Sequence, residues 1–222
     1  GTVRTLNDKD FNLRVPATKD AWLARARAIR EQILVSQGLW PLPPRDKLTP
    51  TIHGRVDRPG YSVERVFFAS TPGHYVTGSL YRPRGKDGTL LPGKLPTVLV
   101  AHGHWANGRM HDAGEATAKR DIASKAETHP ANARYFLQAK AAHLARLGCV
   151  VFQYDMVGYA DSTALGHSAF ADAEAELRLQ NLMGLQTWNS LRALDFLAGL
   201  PEVDDKRIAM TGASGGGTQT FL

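Results

Sequence analysis

The rhythm of apolar and polar positions changes twice along this chain. In "TKDAWLARARAIREQILVSQGLW", Trp22, Ala26, Ile29 and Ile33 recur at spacings of three and four, which predicts an amphipathic helix. Thr18 stands where an N-cap belongs, and Asp20 falls in the first turn, where the helix dipole favours an acid. "PLPPRDKLTP" then removes backbone donors and fixes φ, which ends regular structure. From about residue 61 the period shortens to two. "YSVERVFFAST" and "HYVTGSLYRP" alternate, are rich in β-formers and meet at "TPG", so they predict an antiparallel hairpin.

Further on the pattern becomes continuous rather than alternating. Val98, Leu99, Val100 and Ala101 form an unbroken apolar run, as in a strand covered on both faces. "ARYFLQAKAAHLARLG" puts Leu137, Ala141 and Leu144 on one helical face and supplies Gly148 as a stop. "CVVFQYDMVGYADS" opens as a second buried strand. "NLMGLQTWNSLRALDFLAGLP" is a helix with Trp188, Leu191, Leu194 and Ala198 inward, closed by Pro201. "DKRIAMTGASGGG" is a third strand running into a turn. This alternation of strands and helices predicts a parallel sheet. Residues 1–60 therefore read as an N-terminal helical and irregular appendage, and 61–222 as an α/β core.

Composition narrows the function classes. With 43% hydrophobic and 22% charged residues the 222-residue chain has a globular balance. No run approaches the ~18 apolar residues of a membrane span. The net charge of +6 comes from scattered Lys and Arg with no basic block, so no nucleic-acid partner is expected. A single cysteine, Cys149, excludes an intrachain disulfide and reads as a small core residue. The chain begins Gly-Thr, not Met, which is compatible with a removed secretion signal and leaves the compartment open.

The chemistry gathers in "RIAMTGASGGGTQTFL". Gly212-Ala213-Ser214-Gly215-Gly216 is a G-x-S-x-G string, placed after a buried strand and before a helix start. That context is what a nucleophile elbow needs: a strained serine on a tight turn, with small residues around it. Its oxyanion hole would use the N–H of Gly215. The second donor would come from "AHGHWANG", with His104 as the choice and Trp105 as the alternate. Walker A and dinucleotide readings fail, because Thr218 stands where the Walker lysine belongs and the glycine spacing does not fit a dinucleotide fingerprint.

Taken together, "VLVAHGHW", "FQYDMVGYADS" and "RALDFLAGLPEVDDKRIAMTGASGGGTQTF" resemble the α/β-hydrolase superfamily, and within it are most similar to the acetyl xylan esterase and dienelactone-hydrolase-like branch. The resemblance covers residues 61–222. It implies a serine esterase with no cofactor, an acyl-enzyme at Ser214, and a carbohydrate or other small-molecule ester as substrate. In that fold the acid and histidine follow the serine, yet all eight histidines of this chain precede it. The expectation is an N-terminal fragment cut after the elbow, weakly active alone, whose base and acid come from sequence beyond Leu222 or from a second polypeptide completing the fold. Trp105 and Tyr159 are candidates for lining the substrate pocket, and the long 105–134 segment for shaping it. Asp155 reads as a structural acid, with a relocated triad acid as the alternative. Two rival functions are a non-catalytic hydrolase-like interaction module and a metal-dependent hydrolase using His102 and His104.

Overall fold

The computed structural model describes residues 15–222. Its centre is a six-stranded mixed sheet in the order β1-β2-β3-β5-β4-β6. The strands are β1 (Thr51–Arg58), β2 (Tyr61–Thr71), β3 (His74–Pro83), β4 (Leu95–Ala101), β5 (Val150–Tyr154) and β6 (Val203–Gly212). The expected hairpin is β2–β3, paired antiparallel from Tyr61↔Pro83 to Thr71↔His74. β3 also runs antiparallel to β5, whereas β5, β4 and β6 are mutually parallel. The sheet starts ten residues earlier than the pattern indicated. β1 pairs with β2 across a register shift between His53 and Val56, and nearly all its residues are exposed.

Helices cover both faces. On one, α6 (Leu182–Ala198) lays Ala193, Phe196 and Leu197 against Phe68, Leu80, Leu99 and Phe152. The Phe152 and Phe196 rings meet edge to face, 5.0 Å apart, in a geometry aromatic pairs favour. On the other, α4 (Phe136–Arg146) packs Ala141, Ala142 and Ala145 on Tyr81, Val100 and Val151. Small alanines there let helix and sheet approach closely. The helix expected over 133–148 is broken near its start: α3 (Pro130–Arg134) ends where Tyr135 takes a non-helical ψ of 48°, and α4 begins at Phe136. Cys149 is only partly buried, at the margin of this second cluster.

α1 (Lys19–Ser36) forms where expected, with the Thr18 side chain accepting from the Ala21 N–H. None of its residues is buried; Ala26, Ile29 and Ile33 are half-covered and Trp22 is 52% exposed. The Pro-rich segment after it is tied down by Arg192 of α6, which donates to the Asp46 carbonyl, and by an Arg45–Asp195 ion pair at 3.0 Å. The 105–134 segment holds a 3₁₀ turn (Gly108–Met110), α2 (Gly114–Ala123) and α3. α5 (Ala173–Leu177) lies in the connection before α6, and α7 (Gly215–Phe221) follows β6.

Candidate active site

β6 delivers the chain to Ser214, and α7 carries it away. Ser214 sits at φ 56°, ψ −126°, a conformation L-residues rarely adopt and one that costs about 1–3 kcal/mol. Tight packing holds it there. A Cβ on Gly212 would run into the Gly216 carbonyl. One on Gly216 would run into the Ala101 carbonyl oxygen and lie 2.6 Å from that of His102. These are backbone atoms and cannot step aside, so the turn tolerates only glycine at both places. Gly216 N–H donates to Ala213 O at 3.0 Å, and Thr218 N–H to Ser214 O at 3.2 Å, which closes the first turn of α7. Ser214 itself is exposed.

The helix behind the serine is anchored by a buried polar triangle. Tyr154 Oη lies 2.6 Å from Ser190 Oγ and donates to Gln219 Oε1 at 2.8 Å. It joins β5, α6 and α7, so the elbow is fixed to both the sheet and its covering helix. Burial pushes the Tyr154 phenol well above its ordinary value and keeps it protonated as a donor.

The loop after β4 forms the facing wall. Gly103 lies against the elbow: a Cβ there would be 2.8 Å from Ser214 Cβ. The Trp105 N–H is engaged with Gly103 O at 2.9 Å, whereas the His104 N–H has no partner among the described residues. The His104 ring packs on Gly215, whose Cβ would come within 2.6 Å of His104 Cε1. Its Nε2 meets His167 Nε2 at 2.8 Å, and His167 Nδ1 meets the Val157 carbonyl at 2.8 Å. A carbonyl only accepts, so His167 Nδ1 carries a proton; with that ring neutral, its Nε2 accepts from His104 Nε2–H.

The Tyr159 ring lies edge-on to His102, His104 and His167, at 5.7, 6.1 and 5.0 Å. Trp105 turns to Phe136, 5.6 Å away. The structure thus brings Ser214, Gly215, His104 and Gly103 together, with Tyr159 behind His104. An apolar groove of about 610 Å³ in the 105–134 segment lies between α2 and α3, lined by Ala118, Ile122 and Tyr135 among others, and includes no elbow residue.

His102 is fully buried and bonded at both ring nitrogens, Nδ1 to Gly103 O at 2.8 Å and Nε2 from Met156 N–H at 3.0 Å. It has no lone pair to give a metal, so the reading of His102 and His104 as metal ligands does not fit. Among the described residues no three His, Cys, Asp or Glu side chains converge as a metal-ligand group. Burial, with a smaller contribution from the Arg109 charge, pushes the His102 pKa down to about 4 and outweighs the opposing bond to Gly103.

Sequence reasoning missed Arg109. It is 2% exposed and donates to Ser79 Oγ at 3.0 Å, to Asp155 and, at 2.6 Å, to Asp161. Burial works to lower its pKa, but the two carboxylates prevail and hold it above the ordinary value. Asp155 also accepts from Thr77 Oγ1 at 2.7 Å and, at 3.3 Å, from the Asp161 N–H. Thus Asp155 anchors the β4 and β5 loops to β3 and, among the described residues, is hydrogen-bonded to no histidine.

A parallel strand pair leading into a strained serine turn, with a Gly-containing loop from the neighbouring strand against it, is the arrangement of the α/β-hydrolase fold, and the chain has this fold. It is similar to Methylesterase BT1017 at 27% identity and TM-score 0.65, over 92% of this chain and 39% of that one. It is also similar to a glucuronoyl esterase from Solibacter usitatus (15% identity, TM-score 0.58, 92% and 56% covered). A third is an acetyl xylan esterase from Paenibacillus sp. R4 (21%, TM-score 0.52, 94% and 55%). The chain thus spans about two fifths to just over half of these proteins. No family model matches the sequence, and neither does any curated protein.

Proposed function

We propose that the protein is a serine carboxylic ester hydrolase. The observation that carries this reading is Ser214, an exposed hydroxyl held at φ 56° by backbone contacts on the turn between β6 and α7. Strain of that kind has no packing benefit at an exposed serine, and it suits a side chain that must be presented to a substrate. The similar structures are all esterases, which supports ester hydrolysis.

In this mechanism Ser214 Oγ attacks the ester carbonyl carbon while its proton passes to a base. The carbonyl oxygen becomes an oxyanion, received by the N–H groups of Gly215 and His104. Trp105 is the weaker second donor because its N–H is already bonded to Gly103. Collapse expels the alcohol and leaves an acyl group on Ser214, and water then releases the acid. The proposed base and acid are a His and an Asp or Glu of the kind that follow the serine in this fold. Tyr159 and Trp105 are the proposed lining of the substrate pocket, and a carbohydrate ester, such as an acetyl ester, is the proposed substrate class.

The test is hydrolysis of acetylated and uronate-methyl-ester oligosaccharides by the protein at its full natural length, beside Ser214→Ala. Acid release that the alanine variant loses by a factor of about 10³ or more supports the reading. Equal release by both proteins overturns it and leaves a hydrolase-like module without serine chemistry.

A further inference from the structure

Resting on the reading of the His104 N–H as an oxyanion donor, we infer that His102 is a positioning residue that clamps the Gly103 carbonyl and so aims that N–H. Met156 N–H can only donate, so His102 Nε2 accepts, and Nδ1 must carry the hydrogen that meets Gly103 O. The ring is therefore neutral and of one tautomer. The same Gly103 carbonyl also accepts from Trp105 N–H at 2.9 Å. Two donors on one carbonyl fix the plane of the Gly103–His104 peptide.

A trans peptide points its N–H opposite to its C=O. With the carbonyl held toward His102, the His104 N–H faces the other way, unpartnered among the described residues, in a loop whose Gly103 lies against Ser214. The clamp cannot rotate. His102 is fully buried, its Cε1 and Nε2 lie so close to Gly108 that a Cβ there would sit 2.8 Å from each, and the Tyr159 ring closes on its edge. Met156 follows β5, so the imidazole also fastens the β4 loop to the β5 loop.

The experiment uses benzeneboronic acid, whose boron adds Ser214 Oγ, loses the serine proton to solvent and becomes an anionic tetrahedral centre resembling the oxyanion. Binding is followed by amide NMR titration of the protein at its full natural length and of its His102→Phe and His102→Asn variants, each checked for folding by circular dichroism. The expected result is a dissociation constant raised about tenfold or more in His102→Phe, with the His104 amide resonance no longer shifted by the adduct. Partial recovery is expected in His102→Asn, whose amide can donate to Gly103 O. If the Phe variant does not fold, His102→Leu replaces it, a smaller side chain that likewise has no donor for the Gly103 carbonyl. Unchanged affinity and an unchanged His104 shift in the folded loss variant overturn the proposal. If the wild type takes no boronate, the reading of Ser214 fails instead. Crystal structures of wild type and loss variant then decide the matter for His102: a turned Gly103–His104 peptide supports it, an unmoved one refutes it.

Discussion

Replacing Asp155 by alanine should destabilise the chain severely, because it strands a buried cation. Arg109 is 2% exposed, and its guanidinium bonds to Ser79, Asp155 and Asp161. Asp155 is its only fully buried anionic partner, since the Asp161 side chain is 58% exposed. Removing one member of a buried pair costs about 3–5 kcal/mol, because the remaining charge keeps its desolvation penalty and loses its compensation. Asp161 can follow Arg109 only in part, so the lower end, about 3 kcal/mol, is expected. For a chain of this size that corresponds to a drop of roughly 6–12 °C in Tm. Urea unfolding followed by tryptophan fluorescence should show a lower midpoint with an unchanged slope. The double change Arg109→Met with Asp155→Leu should recover most of the loss, since an apolar pair leaves no buried charge. A loss below about 1 kcal/mol for Asp155→Ala would refute the claim that this cluster anchors the β4 and β5 loops.

Three further outcomes follow from the same contacts. His102, with its pKa held down at about 4, binds fewer protons folded than unfolded between that value and its ordinary 6.5. Stability should therefore be fully present above pH 6.5 and fall by about 3 kcal/mol as pH drops toward 4, a slope that urea melts at stepped pH should find missing in His102→Gln. The groups facing that ring are the Arg109, His104 and His167 side chains and the Tyr159 edge; none supplies a negative charge to resist the loss. Gly216→Ala should cost at least about 3 kcal/mol or prevent folding, because its methyl meets the Ala101 carbonyl, and a melt within 1 °C of wild type would contradict this. Tyr154→Phe should cost about 1–3 kcal/mol by removing the hydroxyl bonded to Ser190 and Gln219, read from its urea midpoint.

What the sequence revealed depended on how local the signal was. β2 and β3 were legible because half-covered strands alternate, and β4 because burial on both faces leaves a continuous apolar run. β1 escaped notice because an edge strand exposed on both faces has no apolar period, and its His53–Val56 irregularity at Gly54 breaks what alternation there is. α2 was equally silent, with Ala118 its one buried residue. The single helix read through Tyr135 failed because apolar spacing continues across a backbone break that only φ and ψ reveal. At the site, the serine turn announced itself through adjacent glycines and the strand before it. The Arg109–Asp155 pair and the His104–His167 contact join residues 46 and 63 positions apart, and no local pattern encodes such meetings.

The central claim is that Ser214 is an activated nucleophile. Treatment of the full-length protein with a fluorophosphonate, followed by intact mass and peptide mapping, tests it most directly. One phosphonyl adduct is expected, located on Ser214 and absent from Ser214→Ala. An unlabelled protein, or an adduct that survives the alanine substitution, would contradict it.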